Sequence, residues 1–438
     1  MPDLLFTENY GDNEFGWQKT FGRTYRMKGC MGEDRLFSSD PLVMKTIFNN
    51  RLFGKSLYHR NIAAARLAEE CSPSPLCDVY EILQNATTDG IAEVVMGHAF
   101  NAVETGGDEI SKNHHNVIAI SSIKSKSALL GDSILSLFPS SLFMLAANYL
   151  PAADFVSIKR YRRVMNEWSE KLLKEKSNNL KLGIEDADLL SVVVQTNESQ
   201  SGGPTGLTQQ EVKDQIPSIL VAGQDTTGNI ISFALYEFAK CPEWQERVRT
   251  ELRGLRKNEY LKAAAYEKLV LLNAHVKETN RLYSTLPHTY REALEDTVLP
   301  LSQPITTTDG RQITDIPIKK GQVVYAGIAS YHRNTDVWGE DAEVFDPLRW
   351  VDERATTFQG AALGPYANLA TFLGGPHTCL GWRLAILETQ ILLAELVSKF
   401  RFEVDDDAVI RTSIAITLQP VSEKGVAHLP LRVTALEQ

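Results

Sequence analysis

The sequence feature that most constrains the fold is Cys379, which ends a glycine-rich loop and directly precedes a predicted helix. Backbone N–H groups of the loop Phe372–Gly381 and of the helix start should point towards its sulfur. That setting stabilises a thiolate, the form of cysteine that binds metal. Gly375 and Gly381 would let the backbone approach a flat cofactor where a Cβ atom would clash, and Phe372 could shield the sulfur from water.

A buried structural cysteine after a turn is the alternative for any single cysteine near glycine. The spacing Phe-x-x-Gly-x-x-x-Cys-x-Gly is specific enough to make that alternative a minor one. The remaining cysteines are Cys30, Cys71, Cys77 and Cys241. An odd number in a long chain, without a Cys-x-x-Cys pair, indicates neither a disulfide scaffold nor a zinc site, and a reducing intracellular compartment is the default expectation.

Charge and hydropathy exclude other classes of protein. The net charge is −10, and a negative surface argues against nucleic acid, whose phosphates need clustered lysine and arginine. The basic run at 159–163 is better explained as a solvated helix face. The sequence contains no run of about 18 apolar residues, so no transmembrane helix is predicted. The apolar segment Ile134–Leu150 could dip into a membrane surface or form a buried helix pair.

Apolar periodicity predicts a mainly helical chain of the α+β class, with small β-sheets after residue 286. Thr208 and Glu211 form a capping-box pattern that opens a long helix towards Lys240. Asn197–Thr208 and Leu301–Arg311 are predicted surface loops. The other predicted helices are Asn61–Glu70, Val79–Met96, Val156–Lys176, Asp186–Gln195, Glu243–Leu255, Tyr266–Tyr283 and Gly381–Lys399. The predicted strands are Gly22–Lys28, Asp34–Ser38, Tyr290–Ala293, Val323–Ile328, Phe400–Val404 and Thr412–Leu418.

Two further patterns accompany the cysteine loop. Glu278 and Arg281 lie three residues apart on one helix face, although isolated pairs of this kind are common on surfaces and contribute little. The presence of the segment Phe345–Trp350 further along the chain makes a structural role of this pair more plausible. The segment Ala222–Thr227 places a glycine inside the long helix, which costs about 1 kcal/mol relative to alanine. A helix that breaks local rules suggests function, and a polar face with a packing glycine is the alternative.

Together these motifs resemble those of the cytochrome P450 family. The loop resembles the haem-binding loop of that family, where the cysteine thiolate ligates iron and favours O–O cleavage. The resemblance implies a P450-like helical fold as a single domain over 1–438, with Cys379 as the iron ligand and haem b (iron protoporphyrin IX) as cofactor. His377 stands where the family often has arginine and could still bind a haem propionate. The implied haem-binding residues of the loop are Phe372, Gly375, His377, Cys379 and Gly381.

The resemblance also implies roles for the other motifs. Arg291 would reach a haem propionate, and a surface arginine on an edge strand is the alternative. Gly223 would make room for oxygen, Thr226 would hydrogen-bond the reacting oxygen, and Asp225 would relay protons from solvent. A buried charge network that supports the loop without taking part in the chemistry would comprise Glu278, Arg281 and Arg349.

The implied activity is insertion of one oxygen atom from O2 into a small apolar molecule, as in fungal secondary metabolism. Electrons would come from a separate NADPH-dependent flavoprotein reductase. Isomerisation or dehydration without a reductase is disfavoured by the intact Asp225–Thr226 pair. Eukaryotic members of the family usually begin with a membrane anchor that holds them at the endoplasmic reticulum. Strand-like sequence already begins by Arg23, so we expect no such anchor here. Any membrane contact would then be peripheral. The candidate pocket residues are Leu220, Val221, Leu286 and Ile416.

Further departures from the family pattern concern the long helix and the first third of the chain. Pro217 should kink or restart the helix. In the family, a helix with the pattern Trp-x-x-x-Arg holds a haem propionate. The interval between Pro41 and Asn61 has too few residues for that helix. The same pattern at Trp350–Arg354 lies too late in the sequence to replace it. We therefore expect an internal deletion near 41–61, weaker haem binding and low activity. Either a misassembled gene model or an inactive haem-binding relative would explain this.

Overall fold

The computed structural model describes residues 12–21, 24–28, 34–38, 61–70, 76–112, 153–182, 188–199, 208–255, 263–352, 354, 363–414 and 416–436. The chain divides into two compact units. The first unit comprises Met1–Gly54, Phe233–Trp382 and Asp407–Ala427. The second unit comprises Lys55–Ser232, Arg383–Asp406 and His428–Gln438.

Helices dominate the described residues. The helices are α1 (Asp12–Phe21), α2 (Asn61–Glu70), α3 (Val79–Ile91), α4 (Ala102–Thr105), α5 (Ala153–Lys181), α6 (Leu189–Ser199), α7 (Gln209–Lys240), α8 (Pro242–Arg253), α9 (Ala263–Tyr266), α10 (Val270–Leu282), α11 (Ile328–His332), α12 (Thr335–Trp338) and α13 (Trp382–Lys399). A π-helical turn, Ala92–Met96, extends α3, and short 3-10 turns span Pro347–Trp350 and Gly375–His377.

The strands form small sheets within each unit. They are β1 (Thr24–Lys28), β2 (Asp34–Ser38), β3 (Leu76–Asp78), β4 (His288–Glu292), β5 (Thr297–Thr306), β6 (Gln312–Ile318), β7 (Val323–Gly327), β8 (Phe400–Val404), β9 (Arg411–Ile414), β10 (Leu418–Val421) and β11 (Pro430–Ala435). The first unit contains the sheet β1-β2-β7-β4 and the pairs β5–β6 and β9–β10, and the second contains β3-β11-β8. Only β2 and β7 pair in parallel among these described strands.

Each unit has its own apolar core. In the second unit, Met96 after α3, Trp168 on α5 and Leu220 on α7 belong to one buried cluster. In the first unit, Tyr331 on α11 and Trp338 on α12 belong to another. Burial of such side chains removes apolar area from water, which is the main favourable contribution to folding.

Much of the predicted secondary structure is confirmed, including the mainly helical class with small sheets. The helix Asn61–Glu70 and the strand Phe400–Val404 have the predicted bounds. The capping box at the start of α7 is also present: the backbone N–H and hydroxyl of Thr208 donate to Glu211 Oε2 at 2.7 and 2.8 Å, and the Glu211 N–H donates to Thr208 Oγ1 at 3.2 Å.

Three local predictions are wrong. Thr412–Leu418 is a hairpin rather than one strand, because β9 ends at Ile414 and pairs antiparallel with β10. The predicted loop Leu301–Arg311 is strand as far as Thr306, because the pairing with β6 tolerates a register shift between Pro300 and Ile305 and resumes at Ile305. The helix α7 continues through Pro217, so the predicted restart is wrong, whereas the alternative of a kink stays a prediction. The burial of the neighbouring apolar residues Ile216 and Leu220 offsets one lost backbone hydrogen bond.

Several sequence predictions fall outside the described residues. They concern the proposed deletion near 41–61 and the apolar segment Ile134–Leu150. Cys77 is disulfide-bonded, a bond that the cysteine count did not predict.

Within the described part of the chain, no helix is both long and apolar enough to cross a membrane.

The capping box generates a first prediction. Thr208→Ala removes the side-chain acceptor of the Glu211 N–H, and losing such a cap typically lowers the free energy of unfolding by about 1 kcal/mol. The denaturant midpoint would measure this loss. Gln209→Ala, at the neighbouring exposed position, is the control and should change little. Equal midpoints for the two variants would contradict a stabilising role of the box.

Candidate active site

The backbone of the loop fixes the position of Cys379. The Cys379 N–H donates to the Phe372 carbonyl at 2.9 Å. Thr378 donates twice to the Gly375 carbonyl, from its N–H at 3.1 Å and from its hydroxyl at 2.7 Å. Gly375 has a φ of +59°, a left-handed conformation that glycine adopts without strain. The loop therefore closes on itself and presents the thiol at the start of α13.

Two opposing effects act on the pKa of the Cys379 thiol. Burial among protein atoms raises the pKa of the Cys379 thiol, and a hydrogen bond from the Gly381 N–H acts in the opposite direction. The sequence predicted that several loop amides would favour the thiolate; one does, and desolvation outweighs it. The side chain is nonetheless exposed, so the sulfur is open to a ligand on one side. A bound cation would shift the balance towards the thiolate.

The guanidinium of Arg281 is fully hydrogen-bonded within the first unit. Its Nε and Nη2 donate to the two carboxylate oxygens of Glu278 at 2.9 and 2.8 Å, and neither side chain is exposed. Its Nη1 donates to the carbonyls of His332 and Ala342 at 2.6 and 2.5 Å, and its Nη2 also donates to that of Val344 at 3.0 Å. All five N–H donors of the guanidinium are thus used.

Glu278 connects this charge to the segment that carries Arg349. Its carboxylate accepts from the Asp346 N–H and from the Trp350 indole, both at 2.9 Å. Arg349 Nε lies 3.5 Å from Glu278 Oε1 as an ion pair, too poorly aligned to be a hydrogen bond. Arg349 instead donates to Asp341 Oδ1 at 2.9 Å, and that bond lowers the pKa of the Asp341 carboxyl. The structure therefore brings Glu278, Arg281 and Arg349 together.

Sequence reasoning missed the residues that join α10 to the cysteine loop. His332 Nε2 accepts from the Ala370 N–H at 3.0 Å, so Nδ1 carries the proton and donates to Ser284 Oγ, also at 3.0 Å. Thr371 Oγ1 donates to the Asn280 carbonyl at 2.7 Å. Burial, with nearby arginine charges, holds the pKa of His332 well below its usual value, so the ring is neutral. No local pattern could reveal these partners, which are far apart in sequence.

Arg291 has an unused donor. On β4 its Nη1 donates to Thr289 Oγ1 at 3.0 Å and to the Tyr290 carbonyl at 2.7 Å. Its Nε is buried and has no hydrogen-bond partner. Burial lowers the pKa of Arg291, but a guanidinium stays protonated at neutral pH. Because an unpaired buried donor is costly, an anionic group at this position would be stabilised.

Thr226, in the second unit, can act only as an acceptor towards a further partner. Its hydroxyl donates to the Ala222 carbonyl one turn earlier, at 2.7 Å. A hydroxyl has one proton, so only the lone pairs of Oγ1 remain available. The side chain is partly exposed, which leaves these lone pairs accessible.

The neighbours of Thr226 are packed against α3. A Cβ at Gly223 would lie 2.4 Å from Ile91 Cδ1, so helix packing alone explains the glycine. Asp225 is only 3% exposed, and it faces α3, where burial and then the Asp225 charge raise the pKa of Tyr80. The resemblance implied that Asp225 relays protons from solvent, whereas its side chain is almost completely buried.

The candidate pocket residues differ in exposure. Leu220 is fully buried in the core of the second unit, so the prediction that it lines a pocket is wrong. Val221 and Leu286 are partly exposed and Ile416 is exposed. The Leu418 N–H donates to the Thr285 carbonyl at 2.8 Å, which brings the β9–β10 hairpin next to the segment containing Leu286.

A family model described as "Cytochrome P450" matches residues 59–424. This range includes every predicted site residue. The chain belongs to the cytochrome P450 family. The fold and motifs of both units agree with this assignment.

Curated relatives are fungal P450 proteins. "Cytochrome P450 monooxygenase 205" of Postia placenta is 26% identical over 99% of this chain and 90% of its own length. "Cytochrome P450 monooxygenase 91" of the same fungus is 32% identical over 68% of this chain and 55% of its own length. "Ganoderic acid synthetase CYP5150L8" of Ganoderma lucidum is 29% identical over 70% of this chain. The chain thus spans little more than half the length of some relatives that it matches.

The first unit has features that fit the haem that P450 proteins bind. Cys379 offers an accessible sulfur, and Arg291 offers a buried donor without a partner. A Cβ at Gly381 would meet no protein atom within 4 Å, and His377 is exposed on the loop. Among the described residues, no three His, Cys, Asp or Glu side chains form a metal site.

The charge network generates a second prediction. Glu278→Gln leaves Arg281 buried without its carboxylate, and breaking such a pair typically costs about 3–5 kcal/mol. We expect a much lower denaturant midpoint and loss of haem incorporation. Asp296→Asn, which breaks the exposed pair with Lys319, is the control and should behave like the wild type. A haem-loaded Glu278→Gln variant with an unchanged midpoint would show that the network does not support the fold.

Proposed function

We propose that this chain is a haem-thiolate monooxygenase that inserts one oxygen atom of O2 into a small apolar organic molecule. Haem b would be the cofactor, with Cys379 as its protein ligand and with Arg291 and His377 binding the propionates. The observation that carries the proposal is the accessible Cys379 thiol on a loop of the P450 pattern, joined to the buried network of α10. Relatives named as monooxygenases support the same activity.

When bound, the haem would supply the oxygen activation, and the protein would supply positioning and protons. Thr226 Oγ1, which already donates to the Ala222 carbonyl, would accept one hydrogen bond and so orient a protonated reacting group. Asp225 would hold the proton for transfer, shielded from bulk water by its burial. In the first unit, Leu286 and Ile416 would offer apolar surface to the substrate.

The remaining components follow from the same proposal. Electrons would come from a separate NADPH-dependent flavoprotein reductase, and the protein would be intracellular with peripheral membrane contact. The relative named a ganoderic acid synthetase supports a role in fungal secondary metabolism. A haem-binding but inactive protein is the second candidate, because the interval between Pro41 and Asn61 leaves little room for the Trp-x-x-x-Arg helix.

The ligand assignment can be tested by substitution. Cys379→Ala removes the proposed ligand, so the reduced, carbon-monoxide-bound protein should lose its thiolate-type spectrum or its haem. Cys241→Ala, at the other free cysteine of the described residues, should retain both. A Cys379→Ala protein with the wild-type spectrum would show that another residue binds the iron.

Proton handling can be tested at Thr226. Thr226→Ala removes the acceptor but should leave haem binding intact, so reducing equivalents should leak to hydrogen peroxide. The measurement is product formed per NADPH consumed, which should fall severalfold. Thr226→Ser keeps the hydroxyl and should retain most of the yield. Unchanged yield in Thr226→Ala would remove this residue from the mechanism.

A further inference from the structure

Three buried amide side chains connect α3 to α7 in the second unit. Gln224 Nε2 donates to Gln84 Oε1 at 2.6 Å, and Gln84 Nε2 donates to Asn229 Oδ1 at 3.0 Å. We call Gln84, Gln224 and Asn229 the amide clasp. Their exposures are 6%, 2% and 0%, so water cannot replace these bonds. Leaving one such buried group unpaired typically costs about 1–3 kcal/mol, which makes the set strongly specific for its present geometry.

The clasp holds both ends of one short segment of α7. Gln84 reaches Gln224 and Asn229, the residues that flank 225–228, and this segment contains Asp225 and Thr226. The glycine at 228 makes the approach feasible, since a Cβ there would lie 2.7 Å from Gln84 Nε2. A single side chain of α3 therefore resists rotation and unwinding of the segment.

Two further contacts strengthen this attachment. Thr87 Oγ1, one turn after Gln84 on α3, lies 3.1 Å from the Gln224 carbonyl, which shares the single hydroxyl proton with the carbonyls of Leu83 and Gln84 at 3.2 and 3.1 Å. Tyr80, one turn before Gln84, is hydrogen-bonded to the Gln84 side chain and lies in the field of Asp225. The polar face of α3 thus meets α7 beside the two residues to which we assign proton handling.

We propose that Gln84 is a positioning residue for proton delivery, because its amide fixes the orientation of the α7 segment that carries Asp225 and Thr226. The inference rests on the proposed function. Gln84 does not itself exchange a proton; it acts through Gln224 and Asn229. The clasp specifies both a donor and an acceptor at position 84, and each requirement can be tested separately.

The test uses haem-loaded protein and three variants. Gln84→Met keeps the length of the side chain but loses its hydrogen bonds to Gln224, Asn229 and Tyr80. Gln245→Met is the matched control: Gln245 is likewise buried, donates to the Phe238 carbonyl at 3.1 Å and accepts from Arg249 at 2.8 Å. Gln84→Glu keeps the acceptor and can donate to Asn229 only while its carboxyl is protonated. The readouts are backbone hydrogen exchange of 225–229 and product formed per NADPH.

Gln84→Met should speed exchange of 225–229 by about tenfold or more, as expected when stabilising buried bonds are lost, and should lower product yield severalfold. Gln245→Met should change neither readout. Gln84→Glu should approach the wild-type yield at low pH and lose it as pH rises, because deprotonation removes the donor. A merely structural role would not produce this pH profile.

Two outcomes separate the inference from the proposed function. If wild-type protein forms product and Gln84→Met matches it in yield and exchange, the positioning role is overturned. If wild-type protein forms no product while Gln84→Met still speeds exchange of 225–229, the clasp anchors the segment and the monooxygenase proposal fails instead.

Discussion

The fully buried guanidinium of Arg281 constrains the backbone path of residues 332–344 in the first unit. Removing such a charge from water is expensive unless its donors are all paired, and here Glu278 and three backbone carbonyls pair every one of them. Those carbonyls belong to residues 332–344, so this segment can adopt few other paths. His332 then bonds the Ala370 N–H, and the constraint reaches the loop that presents Cys379.

The second unit uses neutral polar groups in the same way. Amide side chains and a threonine of α3 bond α7 beside Asp225 and Thr226. Neutral amides position a helix without a net charge, so they would leave the electrostatics of a proton-handling carboxylate largely unchanged. In each unit, residues proposed for chemistry are held by buried polar networks whose other members take no part in it.

The sequence predicted those features that depend on local spacing. The bounds of α2, the capping box of Thr208 and Glu211, and the segment that places Glu278 near Arg281 all follow from contacts within a few residues. It did not predict the bonds of His332 to Ser284 and Ala370, or of Gln84 to Asn229, because folding brings together partners that no periodicity relates. It also mistook Leu220 for a pocket residue, since apolar side chains on both faces of α7 look alike in sequence.

If the braced loop presents the Cys379 sulfur to iron, the iron–sulfur bond should be detectable by vibrational spectroscopy. The measurement is the resonance Raman spectrum of the haem-loaded 438-residue chain, prepared with ordinary and with ³⁴S-labelled cysteine. We expect an iron–sulfur stretching band that shifts to lower frequency with ³⁴S. Stoichiometrically bound haem whose spectrum contains no band sensitive to the sulfur isotope would contradict this expectation.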